Sequence, residues 1–238
     1  MIVDSVTIEH HLEEVRERIE RACGRSGRSS NDVTLVGVTK TFPIHTVESA
    51  VEAGLTHLAE NRVQELVEKA GAIPGLLRGG SVSWYMIGHL QRNKAKEVVE
   101  YADYFHALDS LRLAKELNKR ASHEERVVPC LVQVNISEEE GKYGVGPSET
   151  HSFLDGLAPY EHIRVDGLMT IASFVDDPEQ VRPEFRQVRH LFETYDSKRN
   201  PRATMKHLSM GMSGDFEVAI EEGSTHVRIG SAIFGARE

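Results

Sequence analysis

Cysteine is scarce. Cys23 and Cys130 are the two in 238 residues, and they form no CxxC pair. This gives no basis for a disulfide framework or a thiolate zinc site, and it fits a reducing, cytoplasmic compartment. Long apolar runs are missing as well. No stretch approaches the ~18–20 residues that span a bilayer, so no membrane partner is expected. The N-terminal segment MIVDSVTIEHHLEEVRERIERA is acidic and amphipathic and lacks the apolar core of a signal peptide. Basic charge is in deficit. With 28 Lys and Arg against 37 Asp and Glu the net charge is −9, which argues against nucleic acid as a general partner. Strong repeats and low-complexity tracts are absent. No GxGxxG follows the first expected strand and no GxxxxGK[ST] occurs, so dinucleotide and P-loop sites lack support.

What the chain does have is a core and a rhythm. Hydrophobic residues make up 39% and charged residues 27%, a composition that folds. A leading segment at roughly 4–23 carries Val6, Ile8, Leu12, Val15 and Ile19 at near-helical spacing. The loop GRSGRSSND follows. Then short β-rich runs alternate with helical patterns. Strands are predicted at 33–40, 57–60, 83–88, 104–108, 127–134, 163–171, 205–210 and 226–229. Helices are predicted at 46–53, 62–70, 91–101, 110–121, 147–157, 178–195 and 213–222, with a last short piece in SAIFGA. Parallel neighbours need crossover connections, so this alternation implies a parallel sheet. Eight such units in this length point to an α/β fold, a closed (β/α)8 TIM barrel with an extra N-terminal helix. An open doubly wound sheet is the alternative. The whole of 1–238 reads as one barrel domain, with 1–26 as a leading helix packed on it.

In such a barrel, function sits at the C-terminal strand ends. The first strand closes on Thr39-Lys40. A desolvated lysine there has a depressed pKa and can attack a carbonyl to form a Schiff base; a lysine snorkelling into solvent is the plainer reading. The second strand closes on Glu60-Asn61-Arg62, where Asn61 either caps the next helix or bonds a ligand. The third closes on Gly88-His89, with a basic helix start at Gln91, Arg92, Asn93, Lys94 and Lys96; His89 is either structural or a ligand contact. The seventh runs into His207-Leu208-Ser209-Met210-Gly211-Met212-Ser213-Gly214-Asp215, with Ser213 placed as an N-cap, and the eighth into Arg228-Ile229-Gly230-Ser231. Loops after strands seven and eight are the usual barrel phosphate site, although both are also ordinary tight turns. A buried Arg228 needs an acceptor, either a carboxylate such as Asp166 or Glu60 or a ligand heteroatom. A Schiff-base lysine, a Gly/Ser phosphate cradle and an arginine in one barrel mouth together suit pyridoxal 5′-phosphate (PLP). A lysine-dependent aldolase without PLP would explain Lys40 but not Arg228.

The segments VTLVGVTKTFP, ENRVQE, WYMIGHLQRNKAK, VNISEEEGKYGV, GLMTIA and LSMGMSGDFEVAIEEGSTHVRIGSAIFGAR closely resemble the pyridoxal phosphate homeostasis protein family, in order and over nearly the whole chain. The resemblance implies a barrel like the N-terminal domain of alanine racemase, holding one PLP as an aldimine on Lys40. It implies phosphate-binding segments at Ser209, Ser213, Gly230 and Ser231. Arg228 matches the arginine facing the pyridine nitrogen, Asn61 a residue near the cofactor, and Lys142 a second family lysine on a loop near the site. LAEN stands before Arg62 where the family more often has FGEN, and GKYG where SKSG is usual. Family members have no agreed reaction and are associated with keeping PLP available. The implied role is a PLP carrier or regulator without efficient catalysis, a monomer with no nucleic-acid or membrane partner, for which apo-PLP enzymes are candidate recipients. A small PLP enzyme such as a slow amino-acid racemase is the alternative. The racemase class adds a second β domain that supplies a catalytic tyrosine; here the barrel is expected to use the chain up and leave its mouth open.

Overall fold

The computed structural model describes residues 5–139 and 141–235. The expected domain span of 1–238 therefore includes residues 1–4, 140 and 236–238 that lie outside the described ones, as does the last alanine of SAIFGA.

Helix α1 (Ser5–Arg25) comes first. Ile8, Leu12, Val15, Ile19, Ala22 and Cys23 are buried along one face, at the spacing that a helix turns to one side. Val6 was expected on that face but is exposed. Two residues before Ile8, it is rotated to the far side of the helix. Cys130 is buried too, and both cysteines are free.

Among the described residues, eight strands and eight further α-helices follow: β1 (Thr34–Val38), α2 (Ile44–Glu52), β2 (His57–Glu60), α3 (Val63–Ala72), β3 (Ser83–Met86), α4 (Ala95–Tyr101), β4 (Tyr104–Leu108), α5 (Leu111–His123), β5 (Val128–Val134), α6 (Thr150–Gly156), β6 (Ile163–Thr170), α7 (Arg182–Thr194), β7 (Ala203–Ser209), α8 (Phe216–Glu221), β8 (His226–Ile229) and α9 (Ser231–Phe234). The strands pair in parallel in chain order, and β1 pairs with β8, Val36 opposite Arg228. The sheet is a closed barrel, and the open alternative is set aside. No described helix is long and apolar enough to cross a membrane.

Element ends differ from the sequence pattern for local reasons. The runs expected at 91–101, 147–157 and 178–195 each open with a 3₁₀ turn, at Arg92–Lys94, Pro147–Glu149 and Pro178–Val181. Proline heads two of these turns, Pro147 and Pro178, and a third, Pro183, sits in the first turn of α7, where its missing N–H costs nothing. The helix expected at 213–222 begins only at Phe216, and the strand expected at 205–210 begins earlier, at Ala203.

The core has two compartments. Apolar side chains such as Val227, Ile229, Leu58 and Trp84 face outward from the strands into the layer beneath the helices. Burying each contributes roughly 1.5–3 kcal/mol relative to exposure. Helix α1 docks onto this layer, with Arg18 Nε donating to Glu217 at 2.6 Å and Arg16 to the Gly54 carbonyl at 3.0 Å. The lumen is built differently. Val36, Val38, Ala59 and Tyr85 form a small cluster there, and several other inward positions carry polar rings. Tyr85 stacks on Tyr104 at 5.1 Å, His106 meets Tyr85 edge-on at 5.0 Å, and His226 packs against His106 at 5.8 Å and His207 at 4.8 Å.

Candidate functional site

The ends of β1, β2, β7 and β8 converge at one mouth, because β1 lies between β2 and β8 in the closed order. Lys40 lies two residues beyond β1 in a turn, not in the strand as the sequence suggested, and is half-buried. The chain leaves the ladder at Thr39, whose N–H still donates to the Ala59 carbonyl at 3.0 Å. Thr41 then takes φ +71°, the left-handed region. For a β-branched residue this costs on the order of 1–3 kcal/mol and persists only where neighbours hold it.

Those neighbours are on β2 and α3. Thr41 N–H donates to Glu65 Oε2 at 2.6 Å. Lys69 Nζ donates to the Thr39 carbonyl at 2.7 Å, to Glu60 Oε1 at 2.6 Å and to Glu65 Oε2 at 3.0 Å. Thr39 Oγ1 donates to Glu60 Oε1 at 2.5 Å. Glu60 is 0% exposed and Lys69 3%. Burial pushes the Glu60 carboxyl up, opposed by the hydrogen bonds from Lys69 and Thr39. Burial works the same way on Glu65, but the Thr41 N–H and the Lys69 ammonium outweigh it and hold that carboxyl below the ordinary range.

Asn61 follows β2. It does not cap α3: Arg62 is the N-cap residue, and that cap has no side-chain bond. Asn61 Oδ1 is instead buried with no hydrogen-bond partner among the described residues. A buried acceptor left open in this way has capacity for a donor from outside the protein, a water or a ligand. The Asn61 backbone is pressed by Gly88, where an added Cβ would stand 2.1 Å from the Asn61 carbonyl oxygen. Only glycine permits that approach.

On the other side of Lys40, Arg228 is 3% exposed. Neither expected carboxylate receives it, since Glu60 faces Lys69 and Asp166 is held by Arg164 and Thr204. The guanidinium donates to Ser209 Oγ and to the Thr170 carbonyl, each at 2.7 Å. Burial pulls its pKa down to about 10, with Asp215 countering, so it stays cationic near neutrality. Ser209, also fully buried, is part of that anchor.

Ser213 does not cap the helix that follows it. Asp215 is the N-cap residue of α8, and its carboxylate accepts from Met212 N–H at 2.6 Å. Ser213 Oγ instead reaches α9 and accepts from Gly230 N–H and Ala232 N–H, both at 3.3 Å. It gathers those amides at one spot beside the end of β1; a Cβ on Gly230 would touch the Val38 carbonyl at 3.4 Å. Ser231 opens α9 and is exposed. The two remaining expectations lie toward the other strands. His89 stacks on Tyr143 at 3.7 Å and bonds Asp109 at 2.9 Å. Lys142 donates to Glu139 at 2.6 Å and Ser137 at 3.2 Å.

Sequence reasoning missed Lys69 and Glu65. A signal existed: Lys69 shares its helix face with the buried Val63, Leu66 and Ala70, an unusual place for a charge. It also missed the lumen rings, although alternation on YFHAL and HVRI points Tyr104, His106, His226 and Arg228 inward. Among the described residues no group of three His, Cys, Asp or Glu could hold a metal.

The family model described as the alanine racemase N-terminal domain matches residues 7–238. The fold is shared with alanine racemase from Corynebacterium glutamicum at TM-score 0.71 and 16% identity, covering 99% of this chain and 62% of that one. The chain is 41% identical over 227 residues to the pyridoxal phosphate homeostasis protein of Aquifex aeolicus strain VF5, covering 95% of this chain and 97% of that protein. It is also similar to PipY of Synechococcus elongatus PCC7942, solved with PLP bound, at TM-score 0.77 and 30% identity, covering 92% and 100%. The chain belongs to the pyridoxal phosphate homeostasis protein family within the alanine racemase N-terminal domain class.

Proposed function

We propose that this protein binds PLP in the mouth of the barrel and serves as a carrier or regulator of it, with little turnover of its own. The observation that carries the reading is the pairing of one open, buried acceptor, Asn61 Oδ1, with a buried cation, Arg228, on strand ends flanking the Lys40 loop. When bound, the cofactor supplies an electrophilic aldehyde and an electron-withdrawing ring. Lys40 provides the amine for a covalent link at the aldehyde, one water leaving as the link forms. Ser213, Gly230 and Ser231 hold the phosphate through hydroxyls and the gathered amides. Arg228 faces the ring nitrogen. Its NH1 and NH2 each give one bond to Ser209 and Thr170, which leaves further N–H groups to donate. A cation in that position keeps a proton off the ring nitrogen and weakens the ring as an electron sink, which supports holding over catalysis. In this reading the whole chain acts as one cofactor-binding domain and delivers PLP to apo-enzymes.

The test is to load the purified protein with PLP and follow three readouts. A visible absorbance band should form. Labelled PLP should pass to an apo-enzyme. A panel of amino acids in D₂O should show no α-proton exchange. Rapid, Lys40-dependent exchange or racemisation of a common amino acid would contradict the carrier reading and make the protein an enzyme.

A further inference from the structure

We infer that Lys69, acting with Glu60 and Glu65, is a positioning residue that fixes the backbone on both sides of Lys40 and so limits where its amine is presented. The inference rests on the reading of Lys40 as the attachment residue.

Lys40 lies between two peptide groups, and both are held from behind the sheet. The carbonyl of the Thr39–Lys40 peptide accepts from Lys69 Nζ at 2.7 Å. The N–H of the Lys40–Thr41 peptide donates to Glu65 Oε2 at 2.6 Å. Lys69 ties the two anchors together through its bond to the same Glu65 oxygen at 3.0 Å. Its third donor goes to Glu60 Oε1 at 2.6 Å, which pins the ammonium to the end of β2. An ammonium has three donors, and all three are committed here.

Stability alone does not account for this trio. Burying an ion pair is often no better than burying apolar residues of the same volume. Here one cation is buried with one buried and one half-buried carboxylate, and Glu60 Oε2 has no partner among the described residues. What the trio achieves is local: it holds Thr41 in the left-handed region directly after Lys40. A lysine whose flanking peptides cannot rotate loses less freedom on reacting, which is the gain that positioning provides.

The test uses the full chain and the variants Lys69→Met, Glu65→Ala and Glu65→Gln. Amide hydrogen exchange at Thr41 is measured without added cofactor, and PLP attachment to Lys40 is measured by binding and borohydride trapping. Glu65→Ala should speed Thr41 exchange and weaken attachment, each about tenfold, the scale of one charge-assisted hydrogen bond. Glu65→Gln keeps an acceptor for Thr41 and should recover most of both. If Lys69→Met does not fold, the Glu65 pair carries the test. A folded Glu65→Ala protein with wild-type exchange at Thr41, or with faster exchange but wild-type attachment, overturns the positioning role. If wild-type protein takes no PLP on Lys40, the functional reading fails instead, and the exchange data still decide whether Glu65 holds the loop.

Discussion

The mouth and the lumen of this barrel both bury polar side chains, and they solve the problem differently. The mouth keeps charges and commits them to backbone: Lys69 to the Thr39 carbonyl, Glu65 to Thr41 N–H, Arg228 to the Thr170 carbonyl. The lumen keeps neutral rings, stacking Tyr85 on Tyr104 and packing the histidines edge to face. Burial, reinforced by His207, His57 and Arg228, pulls His226 down to about 3. Burial lowers His106 well below its ordinary value and lowers His57 and His207 as well. Charge is thus retained where a loop must be held. Where only space must be filled, the rings stay uncharged.

Breaking a charge at the mouth should be the most damaging change. Lys69→Met strands Glu60 in the core, and loss of one partner of a buried pair costs about 3–5 kcal/mol. Urea unfolding should show that loss; a change below about 1 kcal/mol would mean that Glu60 is not held as an anion.

The lumen should fail through pH. Above about pH 6.5 its histidines are neutral in both the folded and unfolded chain and have no effect. Below that, the unfolded chain takes up protons that the folded chain refuses, so stability falls as pH falls toward the folded value of about 3 for His226. At pH 5 the loss is about 2 kcal/mol for His226. His106→Phe sharpens the contrast. His106 Nδ1 is buried without a partner among the described residues, so the phenyl variant should be at least as stable at pH 7. Its stability should also fall less steeply between pH 6.5 and 5. An unchanged slope in pH-dependent urea unfolding would remove His106 from the account.

Arg228→Met tests the mouth on its opposite side. It leaves the Thr170 carbonyl and Ser209 Oγ without their donor, at about 1–3 kcal/mol. PLP affinity, followed by absorbance titration, should fall with it. The smallest effect belongs to Ser213→Ala, which frees two α9 amides and should cost about 1 kcal/mol, with PLP affinity a fewfold weaker.

The same contrast explains what the sequence revealed. The βα rhythm, the barrel and the residues ending each strand were legible, because strand ends follow from periodicity and barrels expose their function there. Arg228 was legible as buried, but its acceptors were not. A carboxylate is the ordinary partner, whereas Ser209 comes from the adjacent β7 and Thr170 from β6 one strand further on, placed near by the barrel's register. Ser213 was legible as a capping residue but not as the cap of α9, across 19 residues of chain. Lys69 was not legible: it stands four residues after Glu65, a spacing that on a helix usually means a solvent-exposed ion pair. Its burial is set by the β1 loop folding over it, a contact between segments 30 residues apart.

The proposed attachment of PLP to Lys40 is checked by reducing the PLP-loaded protein with borohydride and mapping the peptides by mass spectrometry. A pyridoxyl adduct is expected on Lys40, with the visible band lost in Lys40→Ala. A protein that stays colourless and unmodified, or one whose adduct sits on Lys142 with Lys40 untouched, would contradict it.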